Sequence, residues 1–389
     1  MLKLIRSTFY KEKETKKKLA EFIKKADILS MYDECRKFER LFAEKQGRKY
    51  ALFVSNGSAA NLALIQALLN TGKISKGDKV GFSTITWATN VMPLIQLGLE
   101  PIPVDCELES LNISVKTIKA SYSKDKFKAL FVTNVLGFGG ELNKIASFCK
   151  ENKIILIEDN CEALGSKIGS TLLGNFGFAS TFSTYVGHHL STIEGGMVCT
   201  DDEEFYHMLC MVRAHGWDRN IPEKARTDLI KKHKIDPFVS KYTFYDLAYN
   251  VRPTDIQGFI GNVQINYWDE VVGKRESNYK LYEKTANSNN HLYHYNVPYM
   301  SLVSNFTYPL IFKTKVLYRK YRDRFIKHDI EIRPVIAGNI TRQPFFKKYI
   351  SKTYETPVSE LVHENGFYIA NNPELTKGEL ELLCSLLKK

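Results

Sequence analysis

Residues 51–69 read ALFVSNGSAANLALIQALL and set the pattern for much of the chain. Four apolar residues precede Ser-Asn-Gly-Ser, and the apolar residues that follow recur at helical spacing. The segment therefore predicts a strand at residues 51–54 and a helix from about 58 to 69. Further strand-like runs lie at residues 79–82, 102–104, 129–133 and 154–158, and helical patterns lie at 89–97 and 142–150. This alternation is typical of βαβ units and predicts an α/β fold whose mostly parallel sheet is covered on both faces.

The pattern changes after residue 165. Strand-like residues 179–184 and 196–200 are joined by a glycine-containing segment that leaves no room for a crossover helix. We therefore expect these two strands to be placed differently from the parallel series. A helix is predicted at residues 203–212, and a long helical pattern covers residues 254–283.

A polar and aromatic stretch at residues 286–303 marks the predicted start of a second domain. We expect an N-terminal arm and a large cofactor-binding domain over residues 1–285, and a small α+β domain over residues 286–389. The signals in the small domain are strands at residues 308–312 and 367–370 and a closing helix from Thr376, where Glu379 completes a capping box.

The composition is that of an ordinary globular protein. Lys and Arg total 55 against 43 Asp and Glu, a net charge of +12, and 44% of the residues are hydrophobic. The positive charge is spread thinly, and the basic residues 11–25 carry an apolar stripe typical of a solvated amphipathic helix, so no nucleic-acid partner is expected. The sequence contains no apolar run of about 18 residues, the length that a membrane-spanning helix needs. Seven scattered cysteines without a CxxC pair predict a reduced, cytoplasmic protein with no metal site.

Two segments place polar groups where a ligand could bind. Residues 55–61, SNGSAAN, lie between a strand and a helix, where Gly57 allows a tight turn, Ser58 offers a hydroxyl and the helix start favours an anion. Residues 154–162, IILIEDNCE, put the Asp159 carboxylate at the carboxyl edge of the sheet, where open α/β folds bind ligands. That carboxylate could hold a protonated ring nitrogen or cap a loop. Alone, each segment is also explained by local structure.

A third segment, residues 181–196, reads TFSTYVGHHLSTIEGG. The adjacent His188 and His189 cannot both face one point on a regular strand, so they do not predict a metal site. One catalytic imidazole beside one structural imidazole is the better interpretation, because histidine can both take and return a proton near neutral pH.

Together and in this order, the three segments resemble the sugar aminotransferase/dehydratase family of fold type I pyridoxal-phosphate enzymes, from about Tyr32 to the end of the chain. The resemblance implies a fold type I aminotransferase-like architecture that binds pyridoxal or pyridoxamine phosphate (PLP or PMP). The implied cofactor residues are Gly57, Ser58 and Ser183 at the phosphate, Trp87 on the ring and Asp159 at the pyridinium nitrogen. Asn250 matches an asparagine that reaches the neighbouring subunit's cofactor, which implies a homodimer with shared active sites.

This chain departs from ordinary transaminases of the family at His188. They have there the lysine that binds the cofactor covalently, and no lysine occurs between Lys167 and Lys224. We therefore expect PLP or PMP to be bound non-covalently, without a Schiff-base lysine. The exchange resembles the 3-dehydratase branch of the family. It implies that His188 moves protons while a nucleotide-linked 4-keto-6-deoxyhexose loses its C3 hydroxyl.

The implied reaction is a C3 deoxygenation in deoxysugar biosynthesis for a cell-surface polysaccharide, and the resemblance favours GDP-4-keto-6-deoxymannose as the substrate. One branch of the family supplies electrons from an iron–sulfur cluster held by cysteines downstream of the site. Here only Cys199 and Cys210 follow before Cys384, so no cluster is expected. The resemblance then implies that L-glutamate regenerates PMP and leaves as 2-oxoglutarate.

Several further residues have more than one interpretation. Arg219, Arg252 and Arg333 could bind the substrate diphosphate or a glutamate carboxylate, or could form inter-domain ion pairs. His215 could touch the sugar or be structural. Glu162 could orient the histidine base, lie near the cofactor ring or have only a surface role.

Two other functions compete with dehydration. A nucleotide-sugar aminotransferase that makes a 4-amino sugar would use the same fold, but the missing lysine counts against it. A protein that binds a cofactor or nucleotide without catalysis would not need Asp159, Ser183 and Asn250 beside a specific histidine.

Overall fold

A computed structural model describes all 389 residues of the chain. Its strands are β1 Tyr50–Val54, β2 Lys79–Ser83, β3 Glu100–Val104, β4 Ala129–Thr133, β5 Ile155–Asp159, β6 Lys167–Ile168, β7 Thr171–Leu172, β8 Ala179–Ser183, β9 Gly196–Thr200, β10 Met300–Leu302, β11 Thr307–Ile311, β12 Arg333–Pro334 and β13 Gly366–Ala370. Its helices are α1 Glu12–Lys25, α2 Asp33–Gln46, α3 Gly57–Asn70, α4 Met92–Gln96, α5 Val115–Lys124, α6 Leu142–Glu151, α7 Glu203–Arg213, α8 Glu223–Lys232, α9 Asp255–Gln264, α10 Trp268–Ala286, α11 Lys315–Lys327, α12 Pro344–Tyr349, α13 Pro357–Asn365 and α14 Lys377–Leu387.

A seven-stranded sheet forms the centre of the molecule, with strand order β1-β9-β8-β5-β4-β2-β3. Only β9 runs against the others, because it pairs antiparallel with both β1 and β8. The remaining pairs are parallel, as the alternation of strands and helices predicts. The carboxyl ends of β1, β2, β4, β5 and β8 therefore meet at one edge, where open α/β sheets bind ligands.

The sheet is buried on both faces, as β4 illustrates. Ala129 and Phe131 pack into one hydrophobic cluster, whereas Leu130 and Val132 pack into a second cluster on the opposite face. Since successive side chains of a strand point to opposite faces, this division requires helices on both sides. The predicted α/β class with a mixed, mostly parallel sheet is confirmed.

Two predicted helices differ in detail from the observed ones. The pattern at residues 89–97 forms only a short 3-10 turn, Ala88–Asn90, followed by α4, because Pro93 starts a new helical segment. The pattern at residues 254–283 forms α9 and α10, separated by a 3-10 turn at Ile265–Tyr267. The two strands predicted to be placed differently are β8 and β9. The prediction is correct for β9, which is antiparallel to its neighbours, but wrong for β8, which pairs parallel with β5 and continues the parallel series.

The C-terminal part of the chain forms its own three-stranded sheet in the order β11-β13-β12. Helices α10, α11 and α14 pack beside it through a hydrophobic cluster that includes Tyr282, Phe325 and Leu383. Thr376 caps α14 through a capping box with Glu379, as the sequence predicts. Within residues 286–303, β10 pairs with β6 of the N-terminal part of the chain.

The N-terminal residues lie against the rest of the molecule. The predicted amphipathic helix is α1, whose Phe22 ring stacks on Phe259 with centroids 4.2 Å apart. Before it, Leu2 pairs with Ile330, and Arg6 forms an ion pair with Glu379 at 2.6 Å. None of the helices combines the length and apolar composition needed to cross a lipid bilayer.

Candidate active site

A cleft of about 700 Å³ opens at the carboxyl edge of the central sheet. It brings together eight of the twelve site residues predicted from the sequence, which are Gly57, Ser58, Trp87, Asp159, Glu162, Ser183, His188 and Arg333. One side, here called the sheet wall, consists of Asn56, Gly57, Ser58, Trp87, Thr89, Asp159, Cys161, Glu162, Ser183, Tyr185, Gly187 and His188. The opposite side, here called the C-terminal wall, consists of Arg275, Phe306, Thr307, Arg333, Pro334, Ile336 and Tyr368. Leu4, Ile5 and Glu194 complete the lining.

The start of α3 lies directly against the end of β8. Asn56 caps the helix by accepting a hydrogen bond from the amide of Ala59 at 2.8 Å. A Cβ atom on Gly57 would lie only 2.8 Å from Cβ of Ser183, so any side chain here would force the start of α3 and Ser183 apart. The free amides of the first helical turn and the Ser58 and Ser183 hydroxyls therefore border one corner of the cleft. Such a corner suits a phosphate group.

Asp159 lies at the end of β5 and is only 4% exposed. Its Oδ2 accepts hydrogen bonds from Nδ2 of Asn90 at 2.7 Å and Nδ2 of Asn61 at 3.0 Å, and its Oδ1 accepts one from the amide of Cys161. Asn61 is in turn fixed by the Thr181 hydroxyl. The carboxylate is therefore held in one orientation beside the cleft, where it could bind a protonated ring nitrogen.

Two asparagines that hold Asp159 were not predicted from the sequence. Asn61 lies within a mostly apolar helical stretch and is buried, which is unusual for an amide. That contrast was visible in the sequence. Asn90 has no comparable signal, because it belongs to the short turn after Trp87. The indole of Trp87 is 56% exposed and lines the same cleft, so one large aromatic surface is open to a ligand.

The two adjacent histidines have different surroundings, as expected. His189 is buried and its Nε2 lies 3.0 Å from the carbonyl oxygen of Ser304, a structural contact. His188 lines the cleft, between the rings of Phe306 and Tyr185 at centroid distances of 5.0 and 5.8 Å, and its Nδ1 has no hydrogen-bond partner. Removal from water, and then the charge of Arg275, lower the pKa of His188 to about 3. Its imidazole is therefore neutral at neutral pH.

Glu162 follows β5 and lines the same cleft as His188. Its Oε2 accepts a hydrogen bond from the amide of Leu136 at 2.8 Å. Removal from water, with a smaller contribution from the nearby charge of Asp159, raises the pKa of this carboxyl to about 8. A group with that pKa can hold or release a proton near neutral pH.

The C-terminal wall contributes two arginines. Arg333 on β12 was predicted, and its guanidinium donates from Nε and Nη2 to Oε1 of Glu331 at 3.0 and 2.7 Å. Arg275 on α10 was not predicted. It lies at helical spacing within a buried stripe that includes Val271 and Tyr279. A charged residue at such a core-facing position is the feature of the sequence that could have identified Arg275 as a site residue.

Four predicted residues do not line the cleft of this chain. Asn250 and Arg252 are exposed and contact each other, with Nε of Arg252 donating to Oδ1 of Asn250 at 2.9 Å. Arg219 is also exposed and lies over the Trp217 ring at 4.0 Å, and His215 packs beside the same indole. These residues therefore form a separate group on the surface of one chain.

The cleft fits PLP or PMP in three respects. It has a phosphate-sized corner at the start of α3, a fixed carboxylate at Asp159 and an open indole at Trp87. None of the 22 residues that line it is a lysine. The donor set therefore suits the phosphate, ring nitrogen and ring face of the cofactor but provides no amine for a covalent bond to it.

Comparison with known proteins agrees with this architecture. The profile of the DegT/DnrJ/EryC1/StrS aminotransferase family matches residues 10–388. The GDP-4-keto-6-deoxy-D-mannose 3-dehydratase of Yersinia pseudotuberculosis is 32% identical over 376 residues, which cover 94% of this chain and 93% of the relative. A solved GDP-4-keto-6-deoxymannose-3-dehydratase with a trapped PLP–glutamate geminal diamine has a TM-score of 0.90, 30% identity and full coverage of both chains. A histidine-to-asparagine variant with bound GDP-perosamine has a TM-score of 0.89, with the same identity and coverage. This chain belongs to the DegT/DnrJ/EryC1/StrS aminotransferase family.

Proposed function

We propose that this protein is a PMP-dependent 3-dehydratase that removes the C3 hydroxyl of GDP-4-keto-6-deoxymannose. The observation that carries the proposal is a cleft of the PLP-enzyme type with a histidine, and no lysine, on its lining. An aminotransferase that makes a 4-amino sugar would need an amine nucleophile in that position. The relatives named for this dehydration cover nearly the whole chain and support the same substrate.

The sheet wall would hold the cofactor without a covalent bond. The first turn of α3, with Gly57 and Ser58, and the hydroxyl of Ser183 would bind the phosphate. Asp159 would bind the protonated ring nitrogen, and Trp87 would stack on the ring. When bound, PMP supplies an amine for the C4 carbonyl and a ring that accepts electrons.

His188 would move the protons of the reaction. Its neutral imidazole can take a proton in the cleft, and the low pKa of His188 makes the protonated ring a strong acid. It would therefore return the proton to the C3 hydroxyl as that group leaves as water. Glu162 lines the same cleft and would share in this proton movement, since its pKa of about 8 leaves it protonated at neutral pH. L-Glutamate would then restore the amine.

We also propose that two copies of the chain share their active sites. Asn250, Arg252, Arg219 and His215 lie outside the cleft of their own chain, so a second subunit would bring them to the nucleotide sugar. The neighbouring segment exposes more than half of the side chains of Phe238, Tyr242, Phe244 and Leu247, an apolar surface that favours association. Arg333 would bind the substrate diphosphate from the cleft's own chain.

One incubation tests the reaction. Purified protein with PMP, GDP-4-keto-6-deoxymannose and glutamate should give a sugar that has lost its C3 oxygen, together with 2-oxoglutarate, both identified by mass. A product with a new amine would instead show aminotransfer. The absence of any product with this substrate would contradict the proposed activity.

Subunit complementation tests the shared sites. His188→Asn and Asn250→Ala should each be inactive as pure dimers. In their mixture, about a quarter of the sites would combine a native His188 with a native Asn250 from the other chain. Recovery of about that share of the activity supports shared sites, and no recovery after subunit exchange contradicts them.

The proposed location is the cytoplasm, where nucleotide sugars are substrates for biosynthesis. All seven cysteines are free thiols, and six of them are buried. This supports a reducing compartment, because disulfides are typical of oxidising ones.

A further inference from the structure

Arg275 is a buried cation whose partners are all neutral. It is 3% exposed, and its Nη1 donates to the carbonyl oxygens of Asn371 at 2.6 Å, Phe306 at 2.7 Å and Asn305 at 3.3 Å. Its Nη2 lies 3.4 Å from the carbonyl oxygen of His188, and its Nε has no partner. Burial lowers the pKa of this guanidinium to about 9, so it remains charged at neutral pH.

Arg213 shows what is unusual about this arrangement. It is as deeply buried as Arg275, but its Nη1 forms an ion pair with Oε1 of Glu39 at 2.5 Å. The carboxylate neutralises that charge within the pair. Arg275 has only carbonyl dipoles around it, so its field extends to neighbouring groups in a medium that screens charge weakly. The group whose backbone it contacts on the cleft side is His188.

We propose that Arg275 is a positioning residue for the proton-transfer histidine: it ties the His188 loop to the start of β11 and the end of β13, and it places an unpaired positive charge at the backbone of His188. This inference rests on the proposed function, because it assigns Arg275 to the same reaction. It explains why an arginine occupies the core-facing stripe of α10, where an apolar residue would pack at lower cost. His188 would begin each turnover neutral and would release its proton readily.

The other charged groups around His188 do not replace Arg275. Burial is the largest cause of the lowered pKa of His188, and Arg275 is the charge that adds to it. The same charge lowers the pKa of His189 behind it. The remaining titratable groups that line the cleft are Asp159, Cys161, Glu162, Tyr185, Glu194, Arg333 and Tyr368. Asp159 and Glu194 would favour the protonated imidazole, so they act against Arg275. Glu162 keeps its proton at neutral pH and is uncharged, and the charge of Arg333 is paired with Glu331.

The test compares Arg275→Gln, which removes the charge, with Arg275→Lys, which keeps it. Lys280→Gln is the matched control, because it removes a charge from the exposed face of the same helix. Two readouts are followed against pH: kcat/KM for dehydration by the holoenzyme, and the NMR shift of ¹³C-labelled His188, assigned by comparison with His188→Asn.

We expect Arg275→Gln to move the acid limb of kcat/KM and the NMR midpoint of His188 upward by about one pH unit. Arg275→Lys should leave the midpoint near that of the wild type while lowering kcat, since an ammonium group cannot hold three carbonyls in the same way. Lys280→Gln should change neither.

A purely structural role would give a different result. Arg275→Gln would then lose the same fraction of activity at every pH, with the acid limb and midpoint of the wild type, and the proposal would be wrong. If Arg275→Gln does not fold, a raised midpoint in Arg275→Lys would contradict it. If the wild type shows no dehydration, the proposed function fails, and the NMR midpoint still decides the effect of Arg275 on His188.

Discussion

The two walls of the cleft are built in different ways. The sheet wall takes its groups from the ends of strands and the turns that follow them, so Gly57, Asp159 and Ser183 are placed by the backbone of one sheet. The C-terminal wall takes Arg275 from a helix and Tyr368 from a different sheet, and long-range contacts hold them together. The first wall fits a cofactor that is similar across many enzymes, and the second is where substrate choice and proton control can vary.

The largest expected effect concerns His188, which lies on the sheet wall with its ring 5.0 Å from that of Phe306 on the C-terminal wall. His188→Asn should lower the dehydration rate by about 10²–10⁴-fold, because a general acid–base group is lost. Binding of PMP, followed by its absorbance, should stay the same, since Gly57, Asp159 and Ser183 are unchanged.

The adjacent histidine provides the control for that experiment. His189→Asn should lower the melting temperature, because its contact with the Ser304 carbonyl is buried, but should cost less than about tenfold in rate. Equal losses of activity in the two variants would mean that the sequence and structure assign the wrong histidine.

Gly57→Ala tests whether the sheet wall binds the cofactor, because it changes the proposed phosphate corner and leaves the C-terminal wall unchanged. The added methyl group would lie 2.8 Å from Cβ of Ser183, so the start of α3 and Ser183 must move apart. If the phosphate then loses one charged hydrogen bond of about 1.5–3 kcal/mol, PMP should bind roughly 10–100-fold more weakly. Titration of the apoprotein with PMP measures this loss. Gly273→Ala is the matched control, because a Cβ there meets no atom within 4 Å. Unchanged PMP affinity in Gly57→Ala would show that the phosphate does not bind in this corner.

Arg333→Gln tests whether the C-terminal wall binds the substrate, because it changes that wall and leaves the sheet wall unchanged. Loss of a charged hydrogen bond of about 1.5–3 kcal/mol should raise KM for the nucleotide sugar by roughly 10–100-fold, with PMP affinity unchanged. Arg322→Gln removes a similar arginine, paired with its neighbour Asp323 on the surface, and should change neither value. A fall in PMP affinity with unchanged KM would assign Arg333 to the cofactor.

The smallest effect is on stability and comes from Glu162. Burial raises its pKa in the folded protein to about 8, above the ordinary 4.5, so the folded state keeps a proton that the unfolded chain releases. Stability contributed by this group is present below pH 4.5 and is lost as the pH rises to 8. Glu162→Gln should therefore raise the melting temperature by about 1–4 °C at pH 8 but not at pH 4.

The exposed Glu151 offers the control for this prediction. Glu151→Gln should leave the melting temperature unchanged at both pH values, because an exposed carboxyl keeps its ordinary environment. An equal gain at pH 4 and pH 8 for Glu162→Gln would show that packing, rather than proton release, sets its contribution.

The same contrast explains what could be predicted from the sequence. The strands around Gly57, Asp159 and Ser183 were predictable because short local patterns specify each strand and the turn after it. Asn90 and Arg275 could not be placed, since their partners lie far away in the chain and no local period links them. The pattern at residues 254–283 was correctly helical, but the break at Ile265–Tyr267 has no Pro to mark it.

The contacts of Arg275 with four backbone carbonyl oxygens also have a consequence for the order of folding. They join the His188 loop, α10, the start of β11 and the end of β13, segments that must close long loops before their contacts form. The parallel sheet with its βα connections can form from nearer segments. We therefore expect refolding protein to recover far-UV circular dichroism before it binds PMP. Simultaneous recovery of both signals would show that the cleft forms together with the sheet.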